Sequence, residues 1–178
     1  MPTPTLEDIE SNPSVKQFEE IRQLFIKNAR TFQDFTALTP ESMEVIYTIA
    51  YNQYSAGKYE TAEKVFRLLT TLNHFDRKYW KGLAAAREAL NMHTEALACY
   101  AYLGIFDPSD PYPAFKGAKC FLALGKRPEA EAGFRAAIFN SDNKPEHAEL
   151  HAQAKGLLEL VQNQDRKDAS AGNGATAP

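Results

Sequence analysis

The chain has 178 residues, a formal net charge of −3 and a sequence pI of about 5.8, which is the length of one domain and gives no electrostatic support for nucleic-acid binding. No run of 18 apolar residues occurs, and the opening stretch MPTPTLEDIE is polar and acidic. Neither direct membrane insertion nor a secretory signal is therefore expected, and the chain reads as cytosolic.

Residues 1–40 form a leading segment. After a Pro/Thr-rich start, Leu6, Ile9, Phe18, Ile21, Leu24 and Phe25 recur at roughly helical spacing. Asn12-Pro13 interrupts the pattern, so a short first piece and then a helix over 14–28 are expected, with Thr31 to Phe35 as a connector. Thr39-Pro40-Glu41 has the chemistry of a helix start: a hydroxyl cap, a proline where no N–H is needed, and an acid in the first turn.

A repeat occupies residues 41–144. Ala62, Ala96 and Ala130 stand 34 residues apart, inside GKYETAEKVF, NMHTEALACY and GKRPEAEAGF. Three further series keep the register: Ala50, Ala84 and Ala118; Phe66, Tyr100 and Phe134; Leu69, Leu103 and Ala137. A 34-residue period is that of a tetratricopeptide (TPR) helix–turn–helix unit. The expected fold is all-α, with three tandem TPR repeats over 43–76, 77–110 and 111–144, turning at Ala56-Gly57-Lys58, near Asn91-Met92 and at Gly125-Lys126. Small residues let paired helices approach closely, and the aromatic fills the gap between repeats. Trp80 falls where such repeats favour a large aromatic, and Pro108 where a second helix must stop.

From Pro145 to residue 168 a capping helix is expected, with Leu150, Ala154, Leu157, Leu158 and Val161 along its apolar side. The tail 169–178, ASAGNGATAP, is small and polar and is expected to be disordered.

Signals for chemistry are weak. Cys99 and Cys120 fall in apolar helical settings without a CxxC and read as buried free thiols. His147 and His151 lie four apart in HAELH, which does not meet the HExxH zinc pattern, and read as solvated surface histidines. His74, beside Phe75, fits either a groove edge or a structural role. No phosphate loop, nucleophile elbow or paired nucleophile and base is evident, so no enzyme, cofactor or metal is expected.

The stretch YTIAYNQYSAGKYETAEKVFRLLTTLNHFD, followed by RKYWKGLAAAREAL, resembles the class II chaperones of bacterial type III secretion systems. The resemblance spans roughly Glu41 to Pro145. It implies a bacterial cytosolic chaperone that sequesters hydrophobic translocator proteins, major and minor, before export. It also implies that an extended proline- and leucine-containing segment lies in the concave groove, and that neither nucleotide nor cofactor is needed. A homodimer without cargo, built through Phe18, Ile21, Leu24 and Phe25 of the leading segment, is implied as well; otherwise that segment caps the first repeat of a monomer.

In a TPR stack, positions 2, 5, 9 and 12 of each first helix face the groove. With Met43 as position 1, repeat one contributes Glu44, Tyr47, Tyr51 and Tyr54, repeat two Lys78, Lys81, Ala85 and Glu88, and repeat three Tyr112, Phe115, Lys119 and Leu122. Tyrosines suit extended peptides because a large apolar ring carries a polar tip at low entropic cost. Alternatively, Tyr47 and Tyr51 pack against the leading helix. A carboxylate clamp of the heat-shock type needs Lys and Asn where this chain has Tyr47 and Tyr51, and a further Asn where it has Gly82. The alternative from another class is a TPR scaffold joining folded proteins through its convex face or terminal helix.

Overall fold

The computed structural model describes Pro13, Lys16 and residues 30–173, excepting the side chains of 165 and 167–173. The described residues form helices and turns without a strand. The helices are α1 (Pro40–Ser55), α2 (Tyr59–Leu72), α3 (Arg77–Ala89), α4 (His93–Phe106), α5 (Pro111–Ala123), α6 (Arg127–Ser141) and α7 (Ala148–Asn173). They pack in order as antiparallel pairs, α1 with α2, α3 with α4 and α5 with α6, and α7 closes the stack against α6.

Local chemistry fixes where each pair turns. Gly57, Asn91 and Gly125, one period apart, all have positive φ (74°, 59° and 72°). Glycine reaches this left-handed conformation without a Cβ penalty, and asparagine is the residue that best tolerates it otherwise. Starts are capped by side chains: the Thr39 hydroxyl accepts from the Ser42 amide at 3.2 Å, Asp76 from Lys78 at 3.0 Å and Asp110 from Tyr112 at 2.9 Å.

All four periodic series are buried. Ala50, Ala62, Ala84, Ala96, Ala118 and Ala130 expose 1% or less. Phe66, Tyr100 and Phe134, with Leu69, Leu103 and Ala137, fill the space between pairs. One core joins the first two repeats, and a second joins α5 and α6 to Ala154 and Val161 of α7, with Leu150, Leu157 and Leu158 packed around it. The apolar side expected of the closing helix is the side it buries.

Some local expectations change. Residues Phe32–Phe35 form a 3-10 turn, held where Asp34 Oδ2 accepts the Thr31 amide at 2.7 Å. Asn143 turns the chain at positive φ (55°), Pro145 then starts only a 3-10 turn, Pro145–His147, and α7 begins at Ala148. It continues to Asn173, past the expected end at 168, through helix-favouring Ala169 and Ala171. Residues 174–178 lie outside the described residues. His151 is not simply solvated: its Nδ1 lies 2.9 Å from the Oγ of buried Ser141. His74 packs on Phe75 (4.1 Å between centroids), and its carbonyl accepts the Trp80 indole N–H at 2.7 Å, which gives it a structural role at the α2–α3 turn.

Candidate peptide-binding face

The first helices of the three pairs, α1, α3 and α5, are tied side by side. On α1, Glu44, Tyr47, Tyr51 and Tyr54 follow 3- and 4-residue spacing and so share one face. Tyr47 is half-buried, between Phe66 of α2 and Tyr79 of α3, each 5.9 Å away by ring centroid. Tyr51 stacks on its outer side at 6.5 Å with an interplanar angle of 25°, and is 55% exposed. Tyr54 leans on Tyr59 at 5.3 Å. The result is a tiered aromatic surface whose lower ring is anchored and whose upper ring is open to solvent.

Charged side chains bridge the helices. Lys78 of α3 pairs with Glu44 of α1, and its Nζ lies 4.9 Å from the Tyr47 ring centre. That carboxylate raises the Lys78 pKa above the ordinary lysine value, while burial pushes the Tyr47 hydroxyl up. Between α3 and α5, Glu88 accepts from Lys116 Nζ at 2.7 Å and from the Tyr100 hydroxyl at 2.8 Å, with the Cys120 thiol 3.7 Å away. A half-buried carboxylate is tolerable when its lone pairs are met in this way. Burial, reinforced by Glu88, pushes Cys120 up to about 12 and Tyr100 well above the usual phenol range.

The other expected residues divide by depth. Tyr112 is half-buried against Tyr100 at 6.2 Å, under Lys81 Nζ at 5.0 Å. Lys119 is exposed, its Nζ 5.8 Å above the Phe115 ring. Ala85 is half-buried and leaves room on the middle helix, and Leu122 packs against the third-repeat core. Phe115 is only 6% exposed and packs on Phe134 at 6.1 Å, so of the twelve it acts chiefly as a wall. Phe18, Ile21, Leu24 and Phe25, expected at a dimer interface, lie outside the described residues.

Sequence reasoning passed over Tyr79 and read Lys116 only as one of four lysines able to attract an acidic ligand. Tyr79, at 3% exposed, is the floor beneath Tyr47. Lys116 anchors Glu88; its signal was a lysine set between Phe115 and Gly117 in an apolar helix, where a charge needs a buried partner.

Comparison with known proteins matches this architecture. A family model described as tetratricopeptide repeat matches residues 43–76, the boundaries expected for the first repeat. Low calcium response locus protein H of Yersinia pseudotuberculosis is 34% identical over 146 residues, which is 82% of this chain and 87% of the relative. The chain belongs to the translocator-chaperone family of type III secretion.

Two solved translocator chaperones show the likeness in three dimensions. PcrH, in complex with the chaperone binding region of PopD, is 36% identical with a TM-score of 0.69, covering 72% of this chain and 97% of PcrH. SycD of Yersinia enterocolitica, in complex with a peptide of the translocator YopD, is 35% identical with a TM-score of 0.68, covering 73% of this chain and 99% of SycD. SycD has also been solved as an alternative dimer. Family membership assigns this chaperone a binding role. In keeping with that, its first-helix face offers rings, ammonium groups and small side chains. Among the described residues no helix is long and apolar enough to cross a membrane.

Proposed function

We propose that this protein sequesters hydrophobic translocator proteins in the bacterial cytoplasm, holding an extended segment along the face of α1, α3 and α5 until export. The reading covers both the major and the minor translocator. It requires no catalysis and no nucleotide, so release depends on the export machinery. The observation that carries it is Tyr51, a large ring left 55% exposed yet held within 25° of parallel to an anchored Tyr47. A ring in that state is prepared to accept an apolar side chain with little further ordering. A proline or leucine laid between Tyr51 and Tyr54 would gain about 1.5–3 kcal/mol from burial. Relatives solved with translocator segments support the same kind of cargo. A homodimer without cargo, formed through the leading segment, completes the proposal; that SycD has been solved as a dimer supports dimerisation as such.

The experiment is fluorescence anisotropy of a labelled extended peptide carrying spaced prolines and a leucine, titrated with wild type and with Tyr51→Ala. Micromolar binding to wild type, weakened in the variant at unchanged circular dichroism, is the expected result. Failure of wild type to bind would instead favour a scaffold acting through its convex face or terminal helix.

A further inference from the structure

The charges on the first-helix face are not evenly matched. It carries Lys78, Lys81, Lys116 and Lys119 against Glu44 and Glu88, on a chain whose formal net charge is −3. Both glutamates are already committed, Glu44 to Lys78 and Glu88 to Lys116 and the Tyr100 hydroxyl. Asp110 accepts the Tyr112 amide at 2.9 Å and Arg77 Nη2 at 2.7 Å, and reaches Lys81 only at 3.9 Å. Lys119 has no carboxylate within 4 Å among the described residues. Its nearest defined partner is the Phe115 ring, whereas Lys81 has the long contact to Asp110 and the Tyr112 ring at 5.0 Å.

The surplus is localised. Tyr112 and Phe115 are three residues apart on α5, and three ammonium groups gather over them: Lys81 at 5.0 Å and Lys116 at 6.0 Å from Tyr112, and Lys119 at 5.8 Å from Phe115. At the other end, the tyrosines of α1 have only Lys78 above them, and Glu44 neutralises it. One half of the face is therefore aromatic and electrically balanced, and the other is cationic over rings.

From this division we infer that the groove takes a cargo segment of two-part character: apolar anchors on the α1 tyrosines, and an acidic side chain placed between Lys81 and Lys119 at the α3–α5 end. The inference rests on the groove being the cargo site, and it adds the charge and the polarity of the segment. A ligand carboxylate there meets Lys119, which has no internal carboxylate to leave, and Lys81, whose only one is the long 3.9 Å contact to an Asp110 already held by Arg77, so little of its gain is offset by breaking a native ion pair. The same arrangement fixes which end of the segment lies over which repeat.

The test uses the full chain and two labelled peptides that share their prolines and leucine, one with a flanking glutamate pair and the other with glutamines there. The acidic peptide should bind wild type about 3- to 10-fold more tightly in low salt, and that ratio should shrink in high salt. Lys81→Gln/Lys119→Gln should bring the ratio to about one, and Lys119→Gln alone should lower it in part. Lys64→Gln, an exposed lysine on α2, should leave it unchanged. Equal binding of the two peptides to wild type, or a ratio that survives the double substitution, overturns the inference while leaving the groove as cargo site intact. If neither peptide binds wild type, the groove assignment fails and the inference falls with it.

Discussion

Lys116 of α5 places its Nζ 2.7 Å from Glu88 Oε2 of α3, with both side chains about one-fifth exposed. This pair, with the Tyr100 hydroxyl donating to the same carboxylate, locks the second repeat to the third across the floor of the proposed groove. Removing one partner from such a pair strands the other, which costs more than the pair itself is worth.

Glu88→Gln should therefore lower unfolding free energy by about 1–3 kcal/mol, read as an earlier urea midpoint. Burial by itself would lower the Lys116 pKa, but the Glu88 carboxylate outweighs it and the net shift is upward from 10.5. A raised folded pKa means the contribution is complete below pH 10.5 and is lost as pH climbs through the folded value. The stability gap between wild type and Glu88→Gln should accordingly narrow in strongly alkaline buffer. A gap that stays constant to pH 11.5 would show that the charge on Lys116 is not what Glu88 stabilises.

Tyr47 and Tyr51 should behave differently although they occupy neighbouring turns of one helix. Tyr47→Ala removes a ring wedged between Phe66 and Tyr79 and should destabilise by about 2–4 kcal/mol. Tyr51→Ala removes a ring that is 55% exposed and should change stability by less than about 1 kcal/mol while weakening peptide binding. Thermal melts beside anisotropy titrations separate the two, and equal melting shifts would refute the tiered arrangement.

Gly82 gives a test of how closely the repeats pack. A Cβ built there falls inside the van der Waals surface of the Phe66 ring, the aromatic of the first periodic series. Gly82→Ala should destabilise by about 1–3 kcal/mol, despite the roughly 1 kcal/mol that alanine gains in helix propensity. A melting temperature raised by the substitution would mean that the seam yields.

The two thiols should be inert in the native protein. Cys99 and Cys120 are both buried, and burial, followed by Glu88, pushes the Cys120 pKa up to about 12. Since the thiolate is the reactive form, labelling at pH 8 should be at least about 100-fold slower in buffer than in 6 M urea. Fast native labelling of either cysteine would contradict the packed seams.

What the sequence determined by itself is whatever follows from local spacing and turn chemistry. Ala62, Ala96 and Ala130 gave the period, and their burial follows because a helix pair can close only over small side chains. Gly57, Asn91 and Gly125 marked the turns, since few other residues accept positive φ. The face on which Tyr47, Tyr51, Lys81 and Lys119 lie was likewise legible, because position within the repeat sets direction on the helix.

Only the tertiary structure decided depth and partnership. Tyr47 and Tyr51 look equivalent in the chain; it is Tyr79, arriving from the next repeat, that packs beneath the first and leaves the second open. Glu88 and Lys116 are 28 residues apart and off the 34-residue register, so no periodic signal joins them. Their pairing, and the surplus of charge it leaves on Lys81 and Lys119, depends on how neighbouring helices dock, a long-range packing outcome that residue spacing does not encode.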